Sequence, residues 1–253
     1  MRKLFVIGIG AGDPAHLTLE AIAAIEQVDV FFSLDKGEAK EDLRRLRKEL
    51  CARHGKGRAY RFVEASDPQR DPAIASYTER VERWHEQRAA IYERMLLEEL
   101  PATGVGGVLV WGDPALYDST LRIVERVLSR GRVELEYSVI PGISSIQVLA
   151  AKHKIALNRI AGAIHVTTGR RLAEAELAAY GDVVVMLDGE CAFQRVARAD
   201  TDIYWGAYLG SEHELLLSGP LEELAAEIVR VRSAARARHG WIMDTYLLRR
   251  RAR

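Results

Sequence analysis

Three glycine- and proline-bearing loops, Gly8 to Pro14 (GIGAGDP), Trp111 to Tyr117 (WGDPALY) and Pro141 to Ser145 (PGISS), each follow a short apolar run. A short apolar run closed by turn residues reads as a strand buried on both faces, the form strands take in a parallel sheet covered by helices. The runs are Leu4 to Ile9, Val28 to Leu34, Gly107 to Trp111 and Glu134 to Ile140. Between them stand helical patterns at Leu17 to Ile25, with Thr18 placed to cap it, at Lys40 to Arg53 and at Leu121 to Leu128. Strand, loop and helix in alternation predict a parallel α/β lobe.

Two further stretches fill the first half. Ser66 to Ser76 (SDPQRDPAIAS) is polar and punctuated by proline, which predicts a loop at the rim of a site or an interface, and Tyr77 to Leu100 carries a long helical pattern. After Lys152 the strands shorten: Ile164 to Thr167, Val183 to Leu187, Ile203 to Leu209 and Glu214 to Ser218. A helix at Leu221 to Ala235 and a last apolar run at Trp241 to Leu248 follow. This is a second lobe of more antiparallel character, with the division expected as 1–142 and 143–253.

The loops limit the ligand. Gly8 and Gly10 supply the first two glycines of a G-x-G-x-x-G dinucleotide fingerprint, but Asp13 stands at the third and Pro14 follows. Such a loop binds pyrophosphate on bare amides, and a carboxylate there repels it. In an open α/β sheet ligands sit beyond the carboxyl ends of the strands, so three loops leaving strand ends can converge on one crevice. Asp13 and Asp113 can hold ribose hydroxyls or a cation, which suits S-adenosylmethionine, a cofactor with a sulfonium, an ammonium and a ribose diol but no phosphate. They can equally make Asx turns before Pro14 and Pro114.

Composition excludes other classes. Lys plus Arg and Asp plus Glu both number 36 in 253 residues, so nothing in the overall charge favours nucleic acid, and anion recognition must be local. Cys51 and Cys191 are too few for a disulfide framework and lack metal-ligand spacing, which points to a reducing cytoplasm and no structural metal. The start MRKLFVIGIG has a basic beginning, but its apolar run stops at a glycine loop after one strand length. No apolar stretch approaches the roughly 20 residues that span a bilayer. The basic end, RRRAR after Leu248, reads as a solvated tail.

GIGAGDPAHLTLEA, VWGDPALYDS and VIPGISSIQVLAA resemble the three ordered signatures of the tetrapyrrole methylases, and the likeness covers nearly the whole chain. The resemblance implies a two-lobed α/β fold, with a parallel-sheet N-terminal lobe and a mixed or antiparallel-sheet C-terminal lobe. It further implies a homodimer with S-adenosylmethionine as methyl donor in the cleft between lobes and a trough for the macrocycle. The stretches TTGRRLAEA, VVVMLDGE, IYWGAYLG and GWIMD resemble the branch of the family that takes precorrin-5. That branch methylates ring carbon 1 and releases the extruded acetyl group as acetate in aerobic cobalamin synthesis.

Carried over residue by residue, the resemblance implies cofactor contacts at Pro14, Trp111, Gly112, Asp113, Leu116, Ser144 and Ser145. In the second lobe it implies Leu187, Ala207 and Leu209. Where relatives often read GGD, this chain has Trp111-Gly112-Asp113; the indole is bulky for a close backbone approach and can simply be a core aromatic at the strand end.

The methyl of a sulfonium is already activated, so its transfer needs mainly alignment, whereas attack of water on an acetyl carbonyl needs a base and donors for the oxyanion. Asp13, His16, Tyr117 and Asp118 are the candidates. His16 can equally be an exposed loop residue, and Tyr117 and Asp118 can merely start the next helix, with Asp118 capping it. Asp188 and Glu190 could pair as carboxylates, or be a turn residue and a surface charge. Arg170 and Arg171 are candidates for the substrate's acetate and propionate groups, although a helix flank is an equally good home. Other readings are another methylase of the same fold, acting on a different precorrin, diphthine or ribosomal RNA, and a non-catalytic tetrapyrrole-binding protein.

Overall fold

A computed structural model describes residues 1–35, 41–55, 59–172, 181–196 and 199–251. Lys40, the last three residues of TTGRRLAEA (173–175) and the last two of RRRAR (252–253) lie outside these. The chain divides into two compact units, one of Met1–Gly10 and Pro14–Ile143, the other of Ala11–Asp13 and Ser144–Arg253.

The first unit holds β1 (Arg2–Gly8), α1 (Leu19–Ile25), β2 (Val30–Asp35), α2 (Glu41–His54), β3 (Arg61–Ser66), α3 (Tyr77–Glu99), β4 (Val105–Val110), α4 (Thr120–Ser129) and β5 (Leu135–Ile140). Its five strands are all parallel, in the order β3-β2-β4-β1-β5. Both faces are buried. Leu4 and Val6 of β1 pack with Val108 and Val110 and with the α3 residues Tyr92, Met95 and Leu96. The alternate residue Ile7 packs with Phe31, Leu109, the α1 residues Ala21 and Ile25 and the α2 residues Leu50 and Cys51. Alternation along a pleated strand sends successive side chains to opposite faces, so two covered faces require an uninterrupted apolar run.

Local signals set the helix starts. Thr18 accepts a hydrogen bond from the Ala21 amide at 3.0 Å and Ser76 one from Glu79 at 3.3 Å, each satisfying a donor the first turn leaves open. The polar stretch before α3 is pinned to that helix: Arg88 pairs with the Asp67 carboxylate, its Nε donating at 2.7 Å, and lies over the Trp84 ring, whose Nε1 donates to the Pro68 carbonyl at 2.7 Å. β3 was not expected. It is an edge strand with a half-exposed, polar-studded sequence, RFVEAS, that lacks the apolar signature of its neighbours.

The second unit holds α5 (Ser145–His153), β6 (Ile164–Thr168), α6 (Gly169–Leu172), β7 (Asp182–Met186), β8 (Thr201–Ala207), β9 (Leu215–Pro220), α7 (Leu221–His239) and β10 (Asp244–Arg250). Its sheet runs β6-β7-β10-β8-β9. Only the β6–β7 pair is parallel; β7–β10, β10–β8 and β8–β9 are antiparallel, so the sheet is mixed. The last strand of the chain is thus central, and Trp205, Tyr246, Ile203, Leu248 and Phe193 form the core around it.

Candidate functional site

The geometry of the first sheet explains why three loops can serve one site. β4, β1 and β5 are neighbours, with Gly8 opposite Val110 and Ile7 opposite Ile140, so the three strands end at one level and release their loops side by side. The backbones then meet. A Cβ built on Gly142 would fall 2.1 Å from the Gly112 carbonyl oxygen and 2.8 Å from the Gly8 Cα. One on Gly8 would fall 2.6 Å from the Gly142 nitrogen. The Gly112 amide donates to the Gly10 carbonyl at 2.8 Å. Only residues without a side chain allow this approach.

Asp113 fastens the arrangement. Its Oδ1 accepts from the Ala115 amide at 2.8 Å, the Asx turn, and its Oδ2 accepts from the Gly142 amide at 2.9 Å, which ties the second loop to the third. The carboxylate therefore shapes the cradle through the backbone of its own unit. Leu116 follows in the same turn, its amide donating to the Asp113 carbonyl at 3.2 Å. Tyr117 is held at φ 52° and is 44% exposed. A left-handed aromatic residue costs of order 1–3 kcal/mol and persists where the surroundings fix it, a pattern concentrated at ligand sites. Asp118 Oδ1 accepts from the Thr120 amide at 2.6 Å, a turn bond at the start of α4 one residue before the N-cap position, which is Ser119.

Pro14 opens a single 3₁₀ turn, Pro14–His16, and His16 abuts Gly10 so closely that a Cβ there would fall 2.7 Å from the His16 Cβ. His16 Nδ1, Trp111 Nε1 and Arg47 Nε are buried without a hydrogen-bond partner among the described residues. Buried polar atoms are nearly always paired, and an orphan costs roughly 1–3 kcal/mol. Trp111 packs against the core formed by Ile7, Leu17 and Leu50.

The second unit presents its own candidates. Ser144 caps α5, its hydroxyl accepting from the Ile146 amide at 3.4 Å, and the Ser145 hydroxyl lies 3.0 Å from that of Thr245. Ala207, the last residue of β8, and Leu209 are buried, so their side chains belong to the packing and only their backbone is available for recognition. The Leu209 carbonyl lies 3.0 Å from where a Cβ on Gly12 would stand, next to Asp13 in the segment that belongs to this unit. Leu187 lies one residue beyond β7, at φ 53° and 64% exposed.

A buried network fixes the turn that carries Leu187. Asp188 accepts from the Glu190 amide at 3.0 Å, the Ala192 amide at 2.7 Å and the Tyr246 hydroxyl at 2.7 Å, and it is the turn carboxylate rather than half of an acid pair. Glu190 is exposed and pairs with Arg195 at 2.6 Å. Arg232 joins the Asp188 carbonyl (2.7 Å) to Asp244 (3.0 Å), and Trp205 Nε1 donates to the same carboxylate at 2.9 Å. Burial pushes the Asp244 carboxyl up, and the hydrogen bonds from Arg232 and Trp205 oppose that shift. Arg170 and Arg171 are exposed on the short helix α6. Among the described residues no group of three or more His, Cys, Asp or Glu is placed to hold a metal ion, and no helix is long and apolar enough to cross a membrane.

A parallel sheet whose adjacent strand ends meet in a glycine cradle, followed by a mixed-sheet unit, matches the family model of the tetrapyrrole (corrin/porphyrin) methylases over residues 3–225, and the chain belongs to that family. Within it, the chain is 50% identical over 252 residues to a precorrin-6A synthase (deacetylating) from Sinorhizobium sp., covering all of this chain and 97% of that protein. A crystal structure of a cobalamin-synthesis-related protein from Corynebacterium diphtheriae is 42% identical, covers both chains completely and superposes with a TM-score of 0.86. The uroporphyrin-III C-methyltransferase of Thermus thermophilus, solved with S-adenosylhomocysteine, shares the fold at a TM-score of 0.61 and 15% identity, over 98% of this chain and 97% of that one.

Proposed function

We propose that the protein is an S-adenosylmethionine-dependent C-methyltransferase that converts precorrin-5 into precorrin-6A, methylating ring carbon 1 and releasing acetate. The observation that carries this reading is the full-length 50% identity to a precorrin-6A synthase (deacetylating). Supporting it is the close meeting of the backbones at Gly8, Gly112 and Gly142, which brings the three loops of the family signatures together at adjacent strand ends.

The cofactor residues proposed are Pro14, Trp111, Gly112, Asp113, Leu116, Ser144, Ser145, Leu187, Ala207 and Leu209. Gly112 and Leu116 act through backbone, and Asp113 acts by holding the second and third loops together. The exposed Leu187 offers an apolar surface for the adenine ring. S-adenosylmethionine supplies an activated methyl: the ring carbon forms the new C–C bond as the S–CH3 bond breaks and a thioether leaves. The residues that hold the two reactants in line therefore do most of the work of this step.

For the acetyl group, water adds to the carbonyl, the bond to the ring breaks and acetate departs. Among Asp13, His16, Tyr117 and Asp118, the carboxylate of Asp118 already accepts from the Thr120 amide, whereas His16 Nδ1 has no hydrogen-bond partner among the described residues. His16 is thus the favoured base or donor for that step. Arg170 and Arg171 remain proposed for substrate carboxylates, and a homodimer in the cytoplasm is the proposed working form.

Calorimetry tests the cofactor assignment. S-adenosylmethionine should bind the wild type, and Asp113→Ala should weaken that binding roughly tenfold or more while the protein stays folded, since it frees the Gly142 amide of the third loop. Unchanged affinity in the variant would remove Asp113 from the site. No binding by the wild type would remove the methyl donor from the account.

A further inference from the structure

Among the described residues, Arg47 is left without a carboxylate, unlike its helical neighbours Arg44 and Lys48. Positions 44, 47 and 48 of α2 share a face, being three and four residues apart. Glu64 serves the two outer ones, lying 3.6 Å from Arg44 Nη1 and 3.6 Å from Lys48 Nζ. Among the described residues Arg47 makes no ion pair, and its Nε is buried with no hydrogen-bond partner. Its guanidinium carbon lies 5.8 Å from the centre of the Trp111 ring, within reach of a cation–π contact. Trp111 opens the second loop, the strand end that enters the glycine cradle.

Arg47 is only partly buried, but an Nε–H withdrawn from water without a partner destabilises the fold, because attraction to distant charges does not replace a lost hydrogen bond. Burial works against the charge of Arg47, and Tyr92, Asp118 and Glu64 only partly oppose that effect. The Asp118 carboxylate is engaged at the start of α4, and Glu64 is shared by Arg44 and Lys48. A planar fork of N–H donors beside an aromatic face, at the rim of a ligand cradle, is suited to bidentate capture of a carboxylate.

We propose that Arg47 binds a carboxylate arm of the tetrapyrrole, an acetate or propionate group, with its guanidinium held against Trp111. The assignment rests on the precorrin reading above for the identity of the ligand. The bound carboxylate would supply the hydrogen bonds that the protein withholds, so the same residue that strengthens substrate binding weakens the free protein.

Equilibrium binding of precorrin-5, followed by quenching of tryptophan fluorescence without S-adenosylmethionine, gives the test for the wild type, Arg47→Met and Arg47→Lys. Arg47→Met should raise the dissociation constant by roughly tenfold to a hundredfold, the worth of a charge-assisted bidentate contact. Arg47→Lys, which keeps the charge but loses the fork, should fall between. Affinity for S-adenosylmethionine should not change, and the thermal midpoint of Arg47→Met should equal or exceed that of the wild type. Equal precorrin-5 affinity in all three proteins, or a lowered midpoint in Arg47→Met, would overturn the proposal. Turnover by the wild type separates the two claims: methylation of precorrin-5 with equal affinities sinks only Arg47, whereas no methylation sinks the reading of the substrate.

Discussion

Arg232→Met should destabilise the protein by about 3–5 kcal/mol, the cost of breaking a buried charge pair by removing one partner. Arg232 and Asp244 are 7% and 9% exposed, and the substitution leaves the Asp244 carboxylate buried with the Trp205 N–H as its remaining donor. It also frees the Asp188 carbonyl, which accepts from Arg232 at 2.7 Å. The loss has a pH signature. Burial raises the Asp244 carboxyl in the folded protein and Arg232 counteracts it, so without Arg232 the folded form favours the protonated acid more strongly. A group whose folded pKa lies above its unfolded one contributes stability that is present below the unfolded value and is lost as pH rises through the folded value. The deficit of Arg232→Met should therefore be largest at neutral pH and shrink on acidification, and Asp244→Asn in the same chain should restore part of it. Urea unfolding at several pH values reads both effects. A loss below about 1 kcal/mol would place the pair among those that contribute little net stability.

Gly142→Ala should abolish the cradle. Its Cβ would meet the Gly112 carbonyl oxygen at 2.1 Å and the Gly8 Cα at 2.8 Å, and all of these are backbone atoms that cannot rotate aside. The loops must part, at a stability cost of about 1–3 kcal/mol for an overpacked site. The larger effect should be on ligand: the affinity for S-adenosylmethionine should fall by about a hundredfold or more, since a displacement of one ångström is enough to lose such a geometry. Gly189→Ala, whose Cβ would meet nothing within 4 Å, provides the stability control. Wild-type affinity in Gly142→Ala would mean that the ligand does not depend on the meeting of the loops.

The same contrast between local and long-range information explains what could be read from the chain. β1, β2 and β4 are legible because both of their faces are buried, so the apolar run itself announces them, whereas the edge strand β5 is half exposed and is marked by the PGISS loop that follows it. The edge strand β3 alternates polar and half-buried residues and is given away only by its pairing with β2. The short helix α5 follows directly on the third loop, where its apolar residues merge with the motif, and its start is set by Ser144. Leu187 and Leu209, expected within strands, lie just beyond them, because positive φ at Leu187 and at Tyr208 ends the extended conformation.

Site chemistry divides in the same way. The meeting of the three loops follows from a recognisable pattern, glycine after a buried strand, together with the adjacency of β4, β1 and β5, which the pattern does not contain. Asp188 reads locally as a turn carboxylate in MLDGE, but its bond to Tyr246 spans 58 positions and the Arg232 contact spans 44. Arg47 stands among Arg44, Arg45 and Lys48, and nothing in the sequence of α2 distinguishes it; its position beside Trp111 is a property of the fold.

The central claim is that one protein couples methyl transfer to deacetylation. Mass spectrometry of precorrin-5 incubated with the protein and S-adenosylmethionine tests it directly. The account predicts a product that has gained one methyl group and lost the acetyl group, with acetate and S-adenosylhomocysteine formed in equal amounts. A methylated product that keeps its acetyl group, or unchanged precorrin-5 beside intact methyl donor, would contradict it.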